Sequence, residues 1–142
     1  MAFIKEKKFY VGSVIENLTA SGLVEGDVEK TETRPEGFYK VSDEELVISY
    51  REESENGPII CDVTVRESSV TVKRAGAVVS LMEFEEGKTH KSVYSVPPYS
   101  FDIEIYTKKI RNNLGRDGGR LDIHYKMNIG GADKNVRMKI EV

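Results

Sequence analysis

From Glu6 to Val142 the chain alternates apolar and polar residues in ten short stretches separated by turn signals. The clearest places Leu121, Ile123, Tyr125 and Met127 on one side and Arg120, Asp122, His124 and Lys126 on the other. A period of two over that length is a strand with one dry face and one wet face. Repeated along the whole chain, it predicts an all-β fold. The expected form is a single antiparallel meander barrel of about eight to ten strands, with its interior as the place for specific chemistry.

The strands are expected at 6–15, 28–41, 45–52, 59–66, 69–74, 78–84, 89–96, 99–110, 120–129 and 135–142. Ser54-Glu55-Asn56-Gly57-Pro58, Arg74-Ala75-Gly76-Ala77 and Glu85-Glu86-Gly87-Lys88 supply tight turns, and Gly118-Gly119 and Gly130-Gly131 bracket the 120–129 strand. Pro35 predicts a bend, bulge or edge within 28–41. The segment from Glu16 to Asp27 holds Gly22 and Gly26 and reads as a short lid with at most a turn or two of helix.

Direction reverses at each turn of a meander, so one rim should collect Glu52, Arg74, Tyr94, the Val96–Tyr99 crossing and Gly130-Gly131. The other should collect Glu67-Ser68, Glu85–Gly87 and the loop from Arg111 to Gly119. The first and last of ten strands run antiparallel, which lets them pair.

At 142 residues the chain reads as one domain spanning 1–142, with 24 acidic and 21 basic residues and a net charge of −3. That balance argues against bulk electrostatic attraction to nucleic acid or to an anionic membrane. Cys61 is the only cysteine, so no intrachain disulfide forms. The start, Met-Ala-Phe-Ile-Lys-Glu-Lys-Lys, has no apolar run of the signal-peptide kind, which predicts a cytoplasmic location.

Strand parity identifies polar residues that share a dry face. Arg74 continues the face of Val70 and Val72, Glu52 continues that of Leu46, Ile48 and Tyr50, and Thr107 follows Tyr99, Phe101, Ile103 and Ile105. An unpaired buried guanidinium or carboxylate costs several kcal/mol, so Arg74 and Glu52 are expected to pair or to sit at a wet mouth. Arginine suits a carboxylate, phosphate or polar head because its planar fork donates two parallel hydrogen bonds. Tyr50, Tyr94 and Tyr99 would wall such a site. The competing reading is an ion pair that plugs the end of a filled barrel.

Several residues carry a family resemblance. Arg74-x-Gly76, Met82-x-Phe84-x-x-Gly87, Tyr94 and Pro97, with Gly37, Tyr50-x-Glu52, Thr107, Gly119-x-Leu121 and Tyr125, together resemble the signature of the YwiB-like family. These are small bacterial domains of unknown function, and the resemblance implies a calycin-like (lipocalin-like) β-barrel over nearly the whole chain. Where that family reads Tyr-x-Thr-Pro followed by Tyr-Gly, this chain reads Tyr94-Ser95-Val96-Pro97-Pro98-Tyr99-Ser100. A role resting on that threonine or that glycine therefore does not carry over.

Other chemistry finds little support. His90 and His124 have no partner at metal-ligand spacing, so neither a metal nor another cofactor is expected. Cys61 lies on the apolar face of Ile59, Val63 and Val65, where a buried inert thiol is the default, and no catalytic triad assembles. Lys108, Lys109, Arg111, Arg116 and Arg120 form a basic loop, but no aromatic residue interleaves it, which weighs against RNA. Val79 and Leu81 sit on the face opposite Val78, Met82 and Phe84, so cover by the N-terminal segment or by a second copy in a homodimer is expected. The sequence thus predicts a non-catalytic binder of a small amphipathic or acidic ligand, through Arg74, Glu52, Tyr94, Tyr99, Tyr50 and Thr107. The alternative is a protein-interaction domain with a filled core.

Overall fold

In the computed structural model, which describes residues 2–142, the alternating stretches form one antiparallel sheet of twelve strands, and no helix occurs among the described residues. The N-terminal part supplies β1 (Phe3–Lys8), β2 (Tyr10–Leu18), β3 (Val24–Thr33) and β4 (Glu36–Val41). Next come β5 (Leu46–Ser54), β6 (Gly57–Val65), β7 (Val70–Gly76) and β8 (Val79–Phe84). The C-terminal part gives β9 (Thr89–Val96), β10 (Tyr99–Asn112), β11 (Arg120–Ile129) and β12 (Ala132–Glu141). Consecutive neighbours pair from β4 to β12, and the full order is β1-β4-β5-β6-β7-β8-β9-β10-β11-β12-β2-β3.

Twelve strands appear where ten were expected because two long strands are each broken in the middle. Proline has no N–H to give a ladder, and the 28–41 stretch divides at Arg34-Pro35. Opposite that break the first strand divides at Phe9, whose ring is buried and whose N–H donates to the Pro35 carbonyl at 2.8 Å. The register continues through both breaks, from Phe3↔Val41 and Lys8↔Glu36 to Val11↔Thr33. β1–β2 and β3–β4 are therefore the two arms of one long hairpin. The expected lid is absent, because Glu16 to Asp27 belongs to the arms and to a Thr19–Leu23 turn closed by Thr19 N–H to Leu23 C=O at 2.8 Å.

This hairpin spans the two ends of the sheet. Its β4 half pairs with β5, and its β2 half pairs with β12 from Tyr10↔Glu141 to Leu18↔Asp133. The first and last stretches thus lie antiparallel side by side, as expected. β1 and β3 remain the ends of the sheet, with no ladder joining them.

The inward face is a continuous core in which Tyr39, Phe9, Phe84, Ile48, Ile105, Leu121 and Ile123 are among the fully buried side chains. Each large apolar side chain buried there contributes roughly 1.5–3 kcal/mol. One end of the core is capped by the loop after β10. Tyr39 Oη donates to the Gly115 carbonyl at 2.6 Å, and Gly119 and Val142 exchange backbone hydrogen bonds. Arg116 lies over the Phe3 ring at 5.4 Å, so part of the basic loop serves this cap.

Two irregularities interrupt the ladder. A bulge between Thr107 and Lys109 shifts the register of β10 on β11. Strict alternation from Thr107 would turn Lys109 and Arg111 inward, whereas the extra residue turns Ile110 towards the core and both cations outward. β8 and β9 pair only at Val79↔Ser95 and Ser80↔Tyr94. Below that point His90 bridges the split, 3.3 Å from Glu83 and 3.1 Å from Glu85. The N-terminal segment does not cover β8, since it pairs with β4 and β12. Val79 and Leu81 remain 50% and 43% exposed, a correction to the expected internal cover.

Candidate functional site

Cross-strand register, invisible to parity alone, lines up the candidate residues. Tyr50↔Cys61, Cys61↔Arg74, Arg74↔Ser80, Ser80↔Tyr94 and Tyr94↔Phe101 are successive partners, so one inward rung crosses β5 to β10. At about 4.8 Å per strand, Arg74 and Phe101 are separated by about 14 Å along it. Chemistry changes steadily along the rung, from guanidinium through hydroxyl and phenol to a bare ring. Burial changes as well: Ser80 is buried, Tyr94 is half-buried and Phe101 is 41% exposed. The rung therefore runs from the interior to an open rim.

Arg74 Nε lies 3.5 Å from Glu52 Oε1, with side-chain exposures of 18% and 30%. The pairing expected from the sequence is present, and it is loose. No hydrogen bond to another acceptor reaches the guanidinium among the described residues, although it carries five N–H donors. Its ladder neighbour Ser80 has a buried Oγ with no partner. The sequence reading missed Ser80. Its signal was available, since Ser80 is the one polar residue in line with Val78, Met82 and Phe84.

Electrostatics keep this guanidinium charged. Burial works against its charge, while Cys61, Glu52, Tyr50 and Tyr125 favour it in their ionised forms, and its pKa rises. Burial pushes the Cys61 thiol up, with the Arg74 charge only partly opposing it, so the thiol stays protonated and inert. Tyr50 is also raised, by burial first and then by Cys61. Tyr125 is pushed up to about 12 by burial, against the pull of Arg74. All three groups near the guanidinium are neutral donors at neutral pH, which suits them to an incoming anion.

The remaining predicted residues separate. Tyr99 points with Phe101 but lies beyond the core at the hairpin tip, 67% exposed, next to a cis Pro97-Pro98 bond. It forms part of the rim and makes no contact with Arg74. Thr107 is fully buried beside Tyr125, about 20 Å of strand below Phe101, and its Oγ1 has no partner. Its backbone holds the turn after β8, with Gly87 N–H donating to its carbonyl at 2.8 Å. A buried hydroxyl left unbonded is destabilising, so Thr107→Val should raise stability by about 1 kcal/mol. A higher urea midpoint would show this, and a lower one would reveal a polar role for the hydroxyl.

Four pockets of about 300 to 550 Å³ lie on the outer faces and rims, and none is lined by Arg74. The inward rung opens at the Phe101 rim, and this mouth lies apart from those four pockets. Among the described residues no group of His, Cys, Asp and Glu side chains is placed to hold a metal ion. No helix of the described residues is long and apolar enough to cross a membrane.

The model of a domain of unknown function, DUF1934, matches residues 17–141. The chain belongs to the DUF1934 family. It is 32% identical over 127 residues to the uncharacterized β-barrel protein YwiB of Bacillus subtilis (strain 168), covering 89% of this chain and 84% of that one. It also superposes on the crystal structure of the Bacillus subtilis YwiB protein with a TM-score of 0.77 at 28% identity, covering 97% of this chain and 94% of the other. The family expected from the motifs is thus the family found, and the all-β antiparallel architecture comes with it.

Proposed function

We propose that this DUF1934 protein is a non-catalytic binding protein whose calycin-like interior takes a small amphipathic anion at the Arg74 mouth. The observation that carries the reading is the buried, under-satisfied guanidinium. Arg74 has one carboxylate at 3.5 Å, and its neighbour Ser80 presents an orphaned hydroxyl. A carboxylate or phosphate head would meet both, with Tyr50, Tyr94 and Tyr125 as further hydroxyl donors. The half-exposed Tyr94 and Phe101, with Tyr99 at the rim, would flank an apolar body. Burial holds the one thiol of the rung in its protonated form, so binding fits better than catalysis.

Native mass spectrometry with dodecanoate and with dodecanol as probes tests this reading. The carboxylate should be retained and the alcohol lost. Arg74→Met should weaken dodecanoate by about 10- to 100-fold, the worth of one charge-assisted hydrogen-bonded contact. Equal retention by Arg74→Met, or no preference for the carboxylate, would reject the clamp.

A second reading, as a protein-interaction domain, has its own support in the exposed outer residues Val79, Leu81 and Val93. A dimer mass in the same spectra that Leu81→Lys removes would favour it.

A further inference from the structure

On the outer face of the sheet, a groove of about 500 Å³ crosses β10, β11, β12, β2 and β3. Its outward residues form two cross-strand rows. One reads Lys109, His124, Arg137, Val14 and Lys30, the other Arg111, Asp122, Lys139, Gly12 and Glu32. The bulge at Lys108 is what turns Lys109 and Arg111 onto this face. Counting Arg120, the groove carries six cations against two acids, Asp122 and Glu32, although the whole chain is acidic by 3.

Among the described residues, three of the six cations have an acidic partner and three do not. Asp122 is committed to Arg120 at 2.7 Å, and Lys139 reaches Glu141 at 3.5 Å. Lys109 lies 3.8 Å from Glu86. Lys30, Arg111 and Arg137 have no acidic partner among the described residues. In the first row Lys109, Arg137 and Lys30 stand on every second strand, about 10 Å apart, so the cations track a line about 19 Å long. That is the length of a run of several phosphates and exceeds a single small anion.

The floor holds one aromatic residue. Gly12 has no side chain, and the Tyr10 side chain folds over it, with the phenol oxygen 2.7 Å and two ring carbons 3.0 Å from where a Cβ would lie. Lys139 and Arg34 each lie 5.3 Å from the ring centroid. In the sequence the basic loop from Lys108 to Arg120 has no interleaved aromatic residue. The fold brings one in from β2.

We infer that this outer groove binds single-stranded nucleic acid, with the cation rows on the phosphates and Tyr10 as a stacking platform. Its place is independent of the Arg74 mouth. Backbone contacts of this kind carry affinity without sequence preference and are strongly salt-dependent.

The test is fluorescence anisotropy of a labelled twelve-nucleotide oligouridylate from 50 to 200 mM salt. Four engaged cations (Lys30, Lys109, Arg111 and Arg137) predict a log–log salt slope of about −3, and Arg111→Gln with Arg137→Gln should bring it to about −1.5. Tyr10→Leu should cost fivefold or more in affinity and leave the slope unchanged. Lys73→Gln, on a distant outer face, should change neither. Three outcomes would overturn the inference: no binding at 50 mM salt, an arginine double variant that behaves like Lys73→Gln, or a Tyr10→Leu variant with unaltered affinity. The last would mark a simple polyanion site, which inorganic polyphosphate would fill equally well. Circular dichroism of each variant confirms that the sheet is intact.

Discussion

Glu52→Gln should destabilise the protein by about 2 kcal/mol, whereas Arg74→Met should leave stability unchanged or raise it slightly. The asymmetry follows from what each change leaves behind. Removing Glu52 strands a guanidinium that is 18% exposed and has no second acidic partner among the described residues. An uncompensated charge in a fully buried pair costs about 3–5 kcal/mol, and partial exposure of this pair reduces that figure. Removing Arg74 instead leaves a carboxylate that is 30% exposed and reaches water. Methionine fills most of the arginine stem and brings no desolvation cost, a replacement that is often neutral or stabilising. Urea denaturation of the two variants decides the matter. If Arg74→Met loses as much stability as Glu52→Gln, the pair is a structural plug. If it loses little while dodecanoate binding collapses, the protein carries a charge that its own fold does not require, as a binding residue would.

Much of this architecture is legible in the sequence because a period of two is a local property. Strand parity correctly places Arg74 with Val70 and Val72, buries Cys61, and puts Glu52 and Arg74 at the same rim. What parity cannot supply is register. The alignment of Tyr50, Cys61, Arg74, Ser80, Tyr94 and Phe101 into one rung depends on turn lengths and on sheet stagger, so Ser80 was passed over as a lone polar residue in an apolar strand. The two broken strands show a different limit. Pro35 signalled a bend, but the matching break at Phe9 has no local mark, because it exists only where the Phe9 N–H meets the Pro35 carbonyl across the hairpin. The Lys108 bulge has the same character. Nothing in Tyr106-Thr107-Lys108-Lys109-Ile110 announces which residue is extra, yet that choice decides whether Lys109 and Arg111 face the core or the outer groove. The candidate binding surfaces are therefore the least legible features, since both are built from rows that run across the strands.

Phe84→Ala should be the most damaging single substitution, at about 3–5 kcal/mol. Phe84 is fully buried at the end of β8, and its ring centroid lies 4.7 Å from that of Tyr125 at an interplanar angle of 56°. The tilted contact adds about 0.5–1.5 kcal/mol to what burial of the ring already contributes. The site also has little means of collapsing onto the cavity. β8 is paired with β7 along Arg74↔Ser80 to Val70↔Phe84, but with β9 only at Val79 and Ser80, so on its β9 side the Phe84 end relies on side-chain packing and on the turn that follows, where Gly87 N–H donates to the Thr107 carbonyl. Alanine there removes the packing and leaves the His90 contacts with Glu83 and Glu85, the β7 ladder and the backbone bonds of the turn to Thr107. Loss should therefore appear first as faster amide exchange in β8 and β9, and globally as a fall in the urea midpoint. Tyr125 would lose its ring partner, and its hydroxyl is one of the donors proposed for the mouth. Phe84→Ala should weaken dodecanoate as well as the fold, whereas Phe84→Leu should recover most of both. A Phe84→Ala variant of near-native stability would mean that the β8–β9 split closes on its own, and that the core at this end is not what holds the rung in place.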